Sequence, residues 1–312
     1  MLKNYKLITI LGPTTSGKSA LAVHLAKKIK GEIISADSRQ VYKGMDIGSG
    51  KVTKKEMKGI PHHLLDVASP KRKFSVTQYR KLAISAIKKI FKKGKLPIIC
   101  GGTGFYIQAL IDGIVIPEVK PDWKLRKKLE KKTTEELFRE LEKKDQKRAE
   151  NIDKKNRRRL IRALEIIIKT KKPVPEIKFN PFPCPVLILG IKREKEELKK
   201  RIYKRLLKRL GEGMINEVKK LRKSGLSWER LEEFGLEYRY VALYLQEKLN
   251  YEEMIEKLQK EIEHFAKRQM TWFKRDKRIK WVKNKKQALN LIKKFLENEK
   301  RENTCASPSF GW

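Results

Sequence analysis

The chain has 312 residues, 39% of them hydrophobic and 37% charged, so it can bury a sizeable core as one large domain or two smaller ones. Its formal charge of +40 at pH 7 is far from that of an ordinary metabolic enzyme and points to a polyanionic partner, nucleic acid first. A lysine-decorated solvated surface, of the kind thermophiles carry, is the bland alternative. No apolar run approaches the roughly 20 residues of a membrane span, and residues 1–11 are too short for a secretory signal. Cys100, Cys184 and Cys305 are too scattered for a disulfide framework, and His62 and His63 have no further ligand at metal spacing. A cytoplasmic protein with no membrane partner is expected.

In chain order, the short β-branched run Leu7–Leu11 leads directly into Gly12, Pro13, Thr14, Thr15, Ser16, Gly17, Lys18 and Ser19, and then into the amphipathic run 20–29. This is G-x-x-x-x-G-K-[ST] in its strand-to-helix context. Its backbone N–H groups turn inward around phosphate oxygens, the helix N-terminus adds a positive dipole, Lys18 supplies a point charge, and the Ser19 hydroxyl can ligate Mg²⁺. The motif specifies a phosphate chain and no more. A nucleotide such as ATP and a prenyl diphosphate would look alike to it.

A second strand, 33–36, runs into Asp37, Ser38, Arg39 and Gln40, which puts a carboxylate where open α/β sheets build their sites. Asp37 is a candidate base or magnesium partner, or the cap of a loop. A third strand, 96–100, ends in Gly101-Gly102-Thr103-Gly104, where the glycines admit a close ligand or serve a tight turn, and Thr103 offers a hydroxyl. Lys18, Asp37 and Thr103 at three strand ends mark one crevice.

Prolines 117 and 121 at entry, and 173, 175, 181, 183 and 185 at exit, bound a basic helical insertion at 114–185. The core, begun at 1–113, resumes with Val186–Ile191 and continues through C-terminal helices to 299; residues 300–312 read as a disordered tail. On the helix at 194–210, Leu198, Ile202, Leu206 and Leu210 line one face while Arg201 and Arg205 share a neighbouring stripe that could reach an anion. The fold class is α/β: a P-loop NTPase-like parallel sheet with a mostly helical insertion and C-terminal helices.

The run Ile34-Ser35-Ala36-Asp37-Ser38-Arg39-Gln40-Val41-Tyr42 followed by Gly44-Met45-Asp46-Ile47-Gly48 resembles the tRNA dimethylallyltransferases. So do Pro61-His62-His63-Leu64-Leu65-Asp66, Gly101-Gly102-Thr103-Gly104-Phe105-Tyr106, Arg159-Leu160-Ile161-Arg162-Ala163-Leu164-Glu165 and Lys267-Arg268-Gln269-Met270-Thr271-Trp272-Phe273, in the family's order. The resemblance implies transfer of a dimethylallyl group from its diphosphate to the exocyclic amine of the adenosine 3′ to the anticodon, in tRNAs reading codons that begin with U. It implies Asp37 as base, Thr103 and Arg205 at the reacting centre, the loop Gly12 to Ser19 on the diphosphate with Mg²⁺, and a monomer.

For the tRNA anticodon stem-loop the resemblance points to Asp37, Ser38, Arg39, Gln40, Thr103 and Arg126, and to Arg158, Arg159, Leu160, Ile161 and Arg162. It adds Phe234, Gly235, Leu236, Glu237, Tyr238 and Arg239, then Lys267, Arg268, Gln269, Met270, Thr271, Trp272, Phe273 and Lys274. The chain departs from the family's common forms at Gly50, where an alanine often precedes the lysine, and at Glu237, where a glycine often precedes the Tyr-Arg pair. Two other functions fit parts of the pattern: an isopentenyltransferase acting on free adenine nucleotide, and an NTP-binding RNA-binding protein without transfer chemistry.

Overall fold

Short runs of β-branched and aliphatic residues that are apolar on both faces need cover on both faces, which a parallel sheet between helical layers provides. The computed structural model describes residues 5–115, 117, 119–176 and 178–297; Cys305 and the tail expected at 300–312 lie outside them. The strands are β1 (Leu7–Leu11), β2 (Gly31–Ala36), β3 (His62–His63), β4 (Leu96–Gly101), β5 (Ile114–Val115), β6 (Lys178–Phe179), β7 (Val186–Ile191) and β8 (Lys280–Val282). Six form a parallel sheet in the order β3-β2-β4-β1-β7-β8, the expected α/β core. No helix among the described residues is long and apolar enough to cross a membrane.

Alternation along β1 sends Leu7 and Leu11 to one layer, where they meet Tyr79, Ile87 and Ile90 of the helix Val76–Lys92 and Leu110 of the helix Gly104–Ile111. Ile8 and Ile10 face the other layer, closed by Leu21 and Leu25 of the helix Lys18–Lys28 and by Ile292 of the helix Lys285–Glu297. Each such side chain contributes about 1.5–3 kcal/mol on full burial. A third, helical cluster joins Val41, Tyr42 and Met45 to Ile202, Leu206, Val218 and Tyr238. Register places the site: Gly101 of β4 pairs with Leu11 of β1 on one side and with Ala36 of β2 on the other. The loops that follow these three strands therefore leave the sheet at one level.

The chain divides into two compact units, Gly113–Asn180 and the remainder. The insertion expected at 114–185 ends earlier at its exit, because Phe182 N–H donates to Ile111 O at 2.8 Å and Leu7 N–H to Pro185 O at 3.0 Å, tying 181–185 to the sheet. Inside Gly113–Asn180, β5 pairs antiparallel with β6, and the helices Trp123–Leu129, Thr134–Lys144 and Arg157–Thr170 pack Leu129, Leu137, Leu141, Leu160 and Leu164 together.

Glu32 on β2 is fully buried and meets His63 Nε2 at 2.7 Å, Lys95 Nζ at 2.8 Å and Lys93 Nζ at 3.3 Å. Burial alone would raise its pKa; hydrogen bonds from Lys95, His63 and Lys93 outweigh burial and hold the carboxyl down at about 2. With the folded value below the ordinary 4.5, the unfolded chain takes up the proton first as pH falls. The stability from Glu32 is therefore complete above that ordinary value and is lost as pH drops toward about 2. Urea unfolding across this window should show a smaller loss for Glu32→Gln than for the wild type; equal losses would remove Glu32 as an acid-sensitive element.

Candidate active site

The P-loop runs from the end of β1 into the helix Lys18–Lys28. Gly17, at φ 92°, takes the left-handed conformation that turns the chain into this helix, and no side chain caps the N-terminus, which leaves its N–H groups for an anion. Lys18 Nζ donates to Pro13 O at 3.2 Å. Burial pushes the Lys18 pKa down; Cys100 and Asp37 oppose that, and the charges of Arg205 and Arg209 add to it. Gln269, buried on the helix Tyr251–Phe273, braces the loop: its Oε1 accepts from Thr14 N–H and its Nε2 donates to Gly102 O, both at 2.8 Å.

Asp37 follows β2 and is half-buried. Its Oδ1 accepts from Arg39 N–H at 2.8 Å and Gln40 N–H at 3.3 Å, so the capping role is real and occupies one oxygen. The other oxygen accepts no hydrogen bond among the described residues. Thr103 Oγ1 accepts from Ser38 N–H at 3.0 Å, while Thr103 N–H donates to Ala36 O at 3.1 Å. The Thr103 hydroxyl is thereby fixed in place with its own proton available to a ligand. Arg39 donates through Nε to Phe234 O at 2.6 Å.

Of the two arginines that share the stripe on the helix Lys195–Gly211, which also carries Arg209, Arg201 is exposed and paired with Glu197 at 2.9 Å. Arg205 is half-buried, donates through Nη2 to Gly50 O at 3.3 Å, and makes no ion pair among the described residues. Burial and then the charge of Arg209 lower its pKa to about 10, so it stays cationic at neutral pH. Ser19, Val23, His24, Gly50, Glu56 and Arg205 line a cavity of about 440 Å³, which joins the end of the P-loop to this arginine. No sequence pattern marks Glu217, whose carboxylate accepts from the N–H groups of Asp46, Ile47 and Gly48 at 2.7–3.0 Å and from Tyr238 O–H at 2.9 Å. It fixes the segment that carries Gly50.

Ser19 fits the magnesium expected there. It stands exposed in the first turn of its helix, and a magnesium ion that keeps waters and diphosphate oxygens needs only one or two protein oxygens.

The RNA contacts expected from the resemblance divide by burial. The side chains of Leu160, Ile161, Phe234, Tyr238, Gln269 and Phe273 are at most 7% exposed and hold helices and loops together. Lys267, Thr271 and Lys274 recur on one exposed stripe with Arg268 beside it, while Met270 and Trp272 are half-buried. Trp272 meets Phe105 edge-on at 6.5 Å. Gly235 and Leu236 lead into the helix Leu236–Leu245, on which Arg239 is exposed. Within Gly113–Asn180, Arg158 and Arg159 are exposed. Arg126 and Arg162 are held by buried Glu165, which accepts from Arg126 Nε at 2.8 Å and Nη2 at 2.7 Å, from Asp122 N–H at 2.7 Å, and from Arg162 Nη1.

A family model described as IPP transferase matches residues 40–276. This chain belongs to the IPP transferase family. It is 43% identical over 287 residues to a tRNA dimethylallyltransferase of Pelotomaculum thermopropionicum, covering 90% of this chain and 91% of that one. A tRNA dimethylallyltransferase of Acetivibrio thermocellus is 40% identical over 302 residues, covering 94% and 96%. The solved tRNA isopentenylpyrophosphate transferase of Bacillus halodurans superposes with TM-score 0.73 at 36% identity, over 96% of this chain and 99% of that chain. A eukaryotic dimethylallyltransferase solved acting on tRNA gives TM-score 0.80 at 28% identity, over 95% and 80%. Membership makes this chain a transferase whose P-loop serves an IPP transferase fold.

Glu165 offers a test of the insertion's architecture. Glu165→Gln leaves two partly buried guanidinium groups without their carboxylate, and the unfolding free energy of the protein should fall by about 3 kcal/mol. Urea titration checks this; a loss below about 1 kcal/mol would mark the pair as no stronger than a surface bridge.

Proposed function

We propose that this IPP transferase moves a dimethylallyl group from dimethylallyl diphosphate to the exocyclic amine of the adenosine 3′-adjacent to the anticodon, in tRNAs reading codons that begin with U, releasing diphosphate and acting as a monomer. The observation that carries the reading is the convergence of the P-loop, Asp37, Thr103 and Arg205 at the carboxyl ends of the parallel strands. A base in a stacked loop hides its amine, so the adenine leaves the stack to enter the crevice. The open oxygen of Asp37 accepts the amine proton as nitrogen bonds to the allylic carbon, and Thr103 donates a hydrogen bond beside it. As the allylic C–O bond breaks, negative charge gathers on the leaving diphosphate. Lys18, the free N–H groups of the P-loop and Arg205 are already in place to receive it. Magnesium held at Ser19 would add positive charge on the same phosphates when bound.

The exposed cations Arg158, Arg159, Arg239, Lys267, Arg268 and Lys274 suit RNA backbone contact. Their number also carries a prediction: tRNA affinity, measured by filter binding, should fall steeply between low and moderate salt as condensed counterions are displaced. A flat salt profile would make the charge mere surface decoration.

Incubation with labelled dimethylallyl diphosphate and either unmodified tRNA or AMP tests the acceptor. Label should enter tRNA; label in AMP alone would favour the free-nucleotide reaction. Asp37→Asn should keep tRNA binding while transfer falls by about 10²- to 10⁴-fold. Undiminished transfer would remove Asp37 as base, and no transfer even by the wild type would leave an RNA-binding protein without this chemistry.

A further inference from the structure

Gly50 and Glu237, the two positions where the chain departs from the family's common forms, both touch one side chain, Arg209. It lies one turn beyond Arg205 on the helix Lys195–Gly211, so the two guanidinium groups share a face. Arg209 is 8% exposed, and its Nη1 donates to Glu237 Oε1 at 2.8 Å and to Gly48 O at 3.4 Å. Gly50 sits at φ 57°. A Cβ there would lie 2.6 Å from Arg209 Cζ and overlap the Nη2 atoms of both Arg209 and Arg205. Only glycine fits at 50 while Arg209 occupies this place.

A buried guanidinium is costly unless a carboxylate and acceptors surround it. Here Glu237 supplies the carboxylate and Gly48 the acceptor. The segment so gripped ends in the Gly50 carbonyl, which accepts from Arg205 Nη2 at 3.3 Å and from Gln40 Nε2 at 3.2 Å. Glu237 leaves Arg205 as the neighbouring cation without a carboxylate partner among the described residues, beside the cavity that reaches Ser19.

We propose that Arg209, neutralised by Glu237 and admitted by Gly50, is a positioning residue: it fixes the 48–50 segment whose carbonyl orients Arg205 toward the diphosphate. This rests on the reading of Arg205 as a diphosphate ligand given above.

The test measures calorimetric affinity for inorganic diphosphate on the full chain, with melting temperature and transfer kinetics alongside. Gly50→Ala drives a methyl into both guanidinium groups and should weaken diphosphate about tenfold, and Arg209→Met alone about threefold. Glu237→Gln should weaken diphosphate as well, and the double variant Glu237→Gln with Arg209→Met should bind about as well as Arg209→Met alone, because those two changes act through one contact. The KM for dimethylallyl diphosphate should follow the same pattern while the KM for tRNA stays unchanged. Losses that multiply in the double variant, or a Gly50→Ala variant that binds like the wild type, overturn the proposal. Should Gly50→Ala fail to fold, the Glu237→Gln and Arg209→Met variants alone carry the test. Coupling seen with diphosphate in a protein that transfers nothing would uphold this device and sink the functional reading. Transfer without coupling would do the reverse.

Discussion

The pairing of Gly101 with Leu11 on one side and Ala36 on the other decides where the chemistry can occur. Parallel neighbours in this register release their loops at the same height, so the P-loop, the Asp37 turn and the Thr103 turn meet without any long-range adjustment. Backbone hydrogen bonds set the level, and side chains then refine it. Gln269 ties the first loop to the third through Thr14 and Gly102, and Thr103 ties the third to the second through Ser38. A shift of one loop is carried to the others.

The electrostatics of the crevice follow from that closeness. Lys18, Arg205 and Arg209 are near enough for burial and mutual repulsion to depress the Lys18 and Arg205 pKa values, a state that an incoming diphosphate relieves. Cations already fixed in a partly dry site do not reorganise when charge builds on a leaving group. The Asp37 carboxylate is held by two backbone N–H groups at one oxygen, which leaves its second oxygen without a hydrogen bond among the described residues. The order that supports reaction is thus in the free protein.

Much of this was legible in residues close together in sequence. The strand-loop-helix signature at Leu7–Leu11 and Gly12 to Ser19, the carboxylate after β2 and the glycine turn after β4 are local patterns, and the structure has them where they were expected. Features that depend on distant partners were silent. β3 and β8 are two and three residues long, too short to show a period. Glu217 and Arg209 carry no local signal, since nothing near them in the chain reveals Gly48 or Tyr238 as partners. Gln269 and Phe273 sit in a basic, aromatic run that suggested RNA, yet helical geometry turns that face inward and leaves Lys267, Thr271 and Lys274 outside. Nothing near Arg126 and Arg162 in the chain shows that they share the carboxylate of Glu165.

The account stands most directly on the geometry of a ternary complex. A structure of the protein with unmodified tRNA and an unreactive analogue of dimethylallyl diphosphate should show the adenine turned out of the anticodon loop, its exocyclic amine about 3 Å from the open oxygen of Asp37, and the diphosphate between the P-loop and Arg205. An adenine lodged elsewhere, or a diphosphate that avoids both the P-loop and Arg205, would contradict it.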